Sequence, residues 1–239
     1  ADCLHPVAAY LFANSPYQNG KATELKNIRN IIWENTDQHR CRSLFDHTID
    51  IPNGLVDRYI EYVLKVQSIF KLDLQGEVES SDKRLGEVLQ NLYDKKCLKD
   101  RDIQAALHQI FTNVRLKSLV EVRGADRTPR GYEMAPVAFW TGLLMENNSR
   151  TEAHKVLMTW NKNDRKLFNK AGLSLDKRQP GPKGKTYEEW IKWCGELALN
   201  GLRRRGLKEE VLFDKFFNNI ISLGPFSLQV QHNESTHNS

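Results

Sequence analysis

The stretch VRLKSLVEVRGAD, residues 114–126, sets four charged side chains at odd positions against apolar ones at even positions. An extended backbone turns successive side chains to opposite faces. Arg115, Lys117, Glu121 and Arg123, all at odd positions, therefore project one way, and Leu116, Val120 and Val122 the other. The pattern predicts one strand whose apolar face is seated on a core and whose other face presents charge.

Outward from this strand the chain reads as helical. Residues 5–13 are apolar enough for a helix, which Asn14, Ser15 and Pro16 end, because the residue before a proline disfavours the helical region. Leu25, Ile28, Ile31 and Ile32 space as one face of a helix over 24–33, with Arg29 beside Leu25 and Trp33 on an adjoining face. Further helices are expected over 55–70, 85–93, 102–111, 133–146 and 151–171, and as a pair joined around Gly201 to Gly206. Residues 71–83 are polar and read as loop or lid, and 175–185 as a basic loop broken by Pro and Gly. The expected class is helix-rich α+β, with a single domain over 1–230 and a flexible tail over 231–239.

Composition sets broad limits. A chain of 239 residues that is 40% hydrophobic can build a core. Thirty-five Lys and Arg against 30 Asp and Glu leave +5, which suits an anionic ligand or a solvated surface equally. Cys3, Cys41, Cys97 and Cys194 form no CxxC pair, and His5, His39, His47, His108 and His154 have no metal-ligand spacing. Such cysteines suit reduced thiols in a cytoplasmic protein. No apolar run nears the roughly 18 residues of a membrane span. The first residues lack the basic start and the cleavage pattern of a secretory signal. With no initiator Met, the chain is expected to be part of a longer polypeptide.

The charged face admits two readings. One is a cross-strand ion-pair ladder on a solvated sheet. The other is a place where Mg²⁺ meets phosphate: magnesium takes one or two carboxylates together with phosphate oxygens, and arginine grips phosphate through two parallel hydrogen bonds. Glu121 and Arg123 have the chemistry for that second role.

Several segments, in order, resemble the glutamate-cysteine ligase family of plants and proteobacteria, which is related to the ergothioneine-pathway ligase. HPVAAYLFANSPYQNGK (5–21) resembles its helix and FANSP loop. IRNIIWENTDQHR (28–40) resembles its Arg-x-x-x-Trp-x-x-x-Asp segment through Arg29, Trp33, Asp37 and Arg40. IFTNVRLKSLVEVRGAD (110–126) resembles the strand of its Glu-x-Arg pair, APVAFWTGLL (135–144) the helix that follows, and ALNGLRRRG (198–206) its terminal helices. The resemblance implies part of a glutamine-synthetase-like core, with antiparallel strands lining the site and helices packed outside. It also implies ligation of the glutamate γ-carboxyl to the amine of cysteine, using ATP and Mg²⁺ through a γ-glutamyl phosphate. On the matching positions, Glu121 is a metal ligand, Arg123 a catalytic group on the transferred phosphate, and Arg29 a holder of glutamate. Arg115 and Lys117 extend the positive surface toward ATP phosphates, while Asn14, Ser15 and Trp33 are candidates for the substrate pocket. A substantial N-terminal portion of the family precedes the segment matched here.

Two stretches depart from the family. KVQSIF (65–70) stands for Asp-Val-Pro-Met-Tyr-Phe, without its tyrosine, and RTPR (127–130) for Gly-Gly-Pro-Trp. The alternatives are a γ-glutamyl ligase for another amine, and a non-catalytic helical module binding protein or nucleic acid. Against nucleic acid, Arg203 to Arg205 are soon followed by Glu209 and Glu210, as at a solvated helix end.

Overall fold

The computed structural model describes residues 1–49, 54–73 and 75–237. Along the chain the first elements are α1 (His5–Leu11), the short strands β1 (Tyr17–Gln18) and β2 (Lys21–Ala22), α2 (Ile28–Thr36) and α3 (Leu55–Lys65). β3 (Phe70–Leu72), β4 (Val78–Ser80), α4 (Leu85–Asp94), α5 (Asp100–His108), β5 (Val114–Leu116) and β6 (Val120–Val122) follow. The remainder is helical: α6 (Ala135–Leu144), α7 (Asn147–Met158), α8 (Lys162–Ala171), α9 (Tyr187–Arg205), α10 (Asp214–Leu223) and α11 (Phe226–His237). The class is helix-rich α+β, and the strands of the described residues form three antiparallel pairs. The residues gather into two compact units, one of Ala1, 3–32 and 124–239, the other of Asp2 and 33–123.

In the first unit α1 is buried over its whole length and forms the centre of the core. Tyr187, Phe168, Phe139, Phe213 and Phe216 are also fully buried, and the ring of Tyr10 meets that of Tyr187 edge-on at 5.6 Å. α9 starts at a capping box, in which Thr186 accepts from the Glu189 N–H and Glu189 accepts from the Thr186 N–H. It ends at Gly206 in the left-handed conformation. It packs on α6 through two glycines: a Cβ on Gly201 would stand 2.1 Å from the Gly142 carbonyl oxygen, and one on Gly142 equally close to that of Ala198. The two helices can approach this closely only without side chains at the crossing.

The second unit holds α3, α4 and α5 and the hairpins β3–β4 and β5–β6. The β3–β4 register pairs Phe70 with Ser80 and Leu72 with Val78. The Gln109 side chain fixes β3 beside the end of α5, accepting from the Ile69 N–H at 2.6 Å and donating to the Phe70 carbonyl at 2.9 Å.

Several elements differ from the sequence expectation, each for a local reason. α2 begins at Ile28 rather than 24, because the backbone of 25–27 bonds to another segment: the Asn27 N–H donates to the Leu173 carbonyl and the Leu175 N–H to that of Leu25. Leu25 is outside the helix and 43% exposed, so it cannot flank Arg29 on a helical stripe. α3 stops at Lys65, where Val66 turns extended, and the expected polar loop over 71–83 contains a β-hairpin, with Leu74 outside the described residues. The single helix expected over 151–171 is two, since Asn161 and Asp164 cap α8 afresh. Residues 231–237 continue α11, while 238–239 of the expected tail lie outside the described residues. Arg203, Arg204 and Arg205 each reach an acid, Asp214, Glu146 and Glu209 respectively, rather than forming a free basic stripe.

Gly201→Ala should therefore lower stability by about 1–3 kcal/mol, the usual cost of forcing atoms into a filled interior. Urea unfolding reads this directly, and an unchanged midpoint would mean that α6 and α9 can part at no cost.

Candidate functional site

The stretch at 114–126 is a hairpin, not one strand. β5 and β6 pair in the register Val114 with Val122, Arg115 with Glu121 and Leu116 with Val120, and residues 117–119 turn between them. The parity survives the turn, because directly opposed residues share a face, so the four charged side chains still project together. Their burial does not follow the expected division between an inner apolar face and an outer charged one. Arg115 is 7% exposed, whereas Val120, on the supposed core face, is 59% exposed. Charge is covered and part of the apolar face is open.

Arg115 makes the centre. Its Nη2 donates to both Glu121 oxygens at 2.9 and 2.8 Å, and its Nη1 to the carbonyls of His108 and Ile110, each at 2.9 Å. Those carbonyls lie at the end of α5, where backbone acceptors lack helical partners and a cation suits the dipole. Lys117 Nζ lies 2.8 Å from Glu121 Oε2, and Arg123 Nη1 lies 2.6 Å from Oε1. Three cations on one carboxylate leave a local surplus of two positive charges. Burial would raise the Glu121 pKa, but hydrogen bonds from Lys117, Arg115 and Arg123 outweigh it and bring the carboxyl to about 2.

Arg123 lies against two rings, its guanidinium carbon 5.6 Å from the centre of the Trp33 ring and 5.5 Å from that of Phe111. Trp33 Nε1 donates to the Phe111 carbonyl at 3.1 Å, locking one ring to the other. Backbone bonds carry the arrangement farther: the Phe111 N–H donates to the Arg40 carbonyl, the Asn113 N–H to that of Arg42 and the Arg123 N–H to that of Asn113. Arg40 is tied to Asp37 through Nε at 2.6 Å. Tyr59 accepts the Leu116 N–H and attaches β5 to α3.

Trp33, Arg115, Lys117, Glu121 and Arg123 thus come together in the second unit. The other candidates, Asn14, Ser15 and Arg29, belong to the first unit. There, Ser15 Oγ donates to Asp126 Oδ2 at 2.6 Å, the Asn14 N–H donates to the same oxygen at 3.2 Å, and Asn14 Nδ2 donates to the Arg127 carbonyl at 2.7 Å. The FANSP loop is fastened to the segment just after β6. Arg29 Nη1 donates to Asn30 Oδ1 at 3.2 Å. Its charge, secondary to burial, helps to push the fully buried His5 down to about 3, so His5 is neutral. Phe111 went unassigned in the sequence because it reads as the last apolar residue of a helix, yet α5 ends at His108 and frees its ring for Arg123.

No group of three or more His, Cys, Asp or Glu that could hold a metal occurs among the described residues. Glu121 nevertheless fits one part of a magnesium site. It is a hard, ionised oxygen donor, and the Lys117 ammonium already stands at Oε2 as a cation would. Any other ligands would be phosphate oxygens or groups beyond these residues.

Arg115→Met should cost about 1–3 kcal/mol, the penalty of leaving buried acceptors unpaired while Lys117 and Arg123 still compensate Glu121, and Arg115→Lys should not restore it, since a compact ammonium lacks the planar fork that serves the carboxylate on one side and the carbonyls on the other. Chemical denaturation measures both. The contribution of Glu121 is full above its unfolded pKa near 4.5 and is lost as pH falls toward about 2. Glu121→Gln should flatten that acid limb in unfolding curves taken between pH 6 and 2.5.

Residues 1–172 match the family described as Glutamate-cysteine ligase family 2 (GCS2). Among similar proteins, "Glutamate--cysteine ligase A, chloroplastic" of Oryza sativa subsp. indica is 31% identical over 212 residues, 86% of this chain and 42% of its own length. "Glutamate--cysteine ligase, chloroplastic" of Arabidopsis thaliana is 32% identical over 216 residues, 86% of this chain and 40% of its own. The protein of the same name in Medicago truncatula is 29% identical over 219 residues, 86% and 41% respectively. The chain thus spans about two fifths of the length of the curated relatives it matches. The relatives are named chloroplastic, which overturns the expectation of a cytoplasmic protein: the spacing of four cysteines does not say which compartment holds a chain. No helix among the described residues is long and apolar enough to cross a membrane. By its match over 1–172, and by the order of its segments from the FANSP loop to the Glu-x-Arg hairpin, this chain belongs to the glutamate-cysteine ligase family.

Proposed function

We propose that this chain is the C-terminal portion of the catalytic domain of an ATP-dependent ligase that joins the γ-carboxyl of glutamate to the amine of cysteine through a γ-glutamyl phosphate. The observation that supports this reading is the cationic cluster of Arg115, Lys117 and Arg123 on Glu121, with its surplus of two positive charges. A carboxylate is a poor electrophile until it is phosphorylated, so such an enzyme has to align two anions and neutralise the charge that develops between them.

In this reading Arg123 is the catalytic cation. Its planar fork, supported by Trp33 and Phe111 and drawn by Glu121, meets the equatorial oxygens of the transferred phosphoryl group. Lys117 adds positive charge on the turn. Arg115, whose donors are spent on Glu121 and on the end of α5, acts by holding Glu121 rather than by touching ATP. Arg29 holds the carboxylate of glutamate, and Asn14 and Ser15 shape the loop that borders that pocket. Mg²⁺, when bound, would neutralise phosphate charge, with Glu121 as its ligand from this chain. The remaining metal and nucleotide contacts belong to the portion of the polypeptide not represented in residues 1–239. The amine acceptor is the open element, because Lys65 to Phe70 lack the family's tyrosine, and a γ-glutamyl ligase for another amine is the second reading.

The complete polypeptide should release phosphate and form γ-glutamylcysteine from ATP, glutamate and cysteine, whereas residues 1–239 alone should form none. Arg123→Lys in the complete polypeptide should lower kcat by about 10²-fold or more, the scale of losing one preorganised contact to developing charge. Wild-type turnover by that variant would remove Arg123 from the chemistry. Phosphate release with another amine and none with cysteine would favour the second reading.

A further inference from the structure

The three cations on Glu121 are held unequally. Arg115 is buried and bonded to Glu121 and to two backbone carbonyls. Arg123 lies against two aromatic rings besides its contact with Glu121. Lys117 is on the turn of the hairpin, and its ammonium has one partner among the described residues, Glu121 Oε2 at 2.8 Å. An ammonium on a four-carbon stem with a single partner exchanges far more readily than a guanidinium fixed by several. A carboxylate has about four lone-pair positions. The two arginines and the lysine crowd those positions, so a cation that binds at Oε2 competes with Lys117 for it.

We propose that Lys117 is a resident counter-cation of Glu121: it occupies the oxygen that a divalent cation takes, leaves when that cation arrives, and turns to the anion the cation brings. The exchange breaks the contact between Nζ and Oε2, forms one between the metal and the carboxylate, and gives the freed ammonium a phosphate oxygen. It breaks no covalent bond and moves no proton. The same device keeps the cluster from holding an uncompensated carboxylate before substrate binds, and it makes metal and nucleotide binding mutually supportive, since each draws Lys117 the same way. The proposal rests on the ligase reading.

Its test uses the complete polypeptide and Mn²⁺, an oxygen-preferring probe whose free and bound forms are counted by electron paramagnetic resonance. Without nucleotide, Lys117→Met should bind Mn²⁺ several-fold more tightly than wild type, because one competitor and one repelling charge are gone. Lys117→Arg should not gain this. With a non-hydrolysable ATP analogue present, the advantage of Lys117→Met should vanish or reverse. Equal or weaker Mn²⁺ binding by nucleotide-free Lys117→Met overturns the proposal. If Glu121→Gln leaves Mn²⁺ binding unchanged, the metal lies elsewhere; the proposal falls and the ligase reading stands. A wild type that binds no Mn²⁺ with or without nucleotide, and forms no γ-glutamyl product, removes both.

Discussion

The pairing of Arg115 with Glu121 across two short strands is the contact on which the second unit's charged cluster rests. A guanidinium withdrawn from water is tolerated only when its donors are satisfied, and Arg115 meets that condition by using one side of its fork on the carboxylate and the other on the end of α5. Helix and hairpin are thereby joined through a side chain, and Glu121 is fixed where it can draw Arg123 and Lys117 inward. The same contact explains why the charged face is the covered one. Electrostatic satisfaction, rather than apolar burial, decides which way this hairpin faces.

Much of the site was legible because charged residues sit at fixed parity. A turn that opposes Arg115 and Glu121 preserves the alternation of a continuous strand, so the side chains that meet could be named even though the strand itself is two. What alternation could not say is which face is buried, since the pattern is symmetric to exchange of inside and outside. The ion-pair ladder and the phosphate floor, alternatives from the residues alone, are not exclusive: the pairs exist, and they gather more positive charge than they cancel.

Element boundaries were less legible, for reasons outside local propensity. Residues 25–27 have the spacing of a helix but give their backbone groups to 173–175. Asn161 interrupts an amphipathic run because its side chain offers the next backbone N–H groups a cap. Phe111 looks like a helix residue until the carbonyls after α5 are seen to be taken by Arg115. Each miss is a case in which a partner distant in sequence, or a side-chain cap, won over the local pattern. The order of family-like segments was robust to all of this, since order does not depend on where a helix begins.

Strands of three residues with a partly open apolar side are weakly specified by packing. Sliding β6 by one position against β5 would leave a valine facing Arg115 and turn Glu121 to the other side of the ribbon, parted from Arg115 and Lys117. The hairpin's alignment is consequently encoded in charge. In a fold where hydrophobic contacts elsewhere settle the geometry, here a single acid acts as the key that admits only one threading of the backbone.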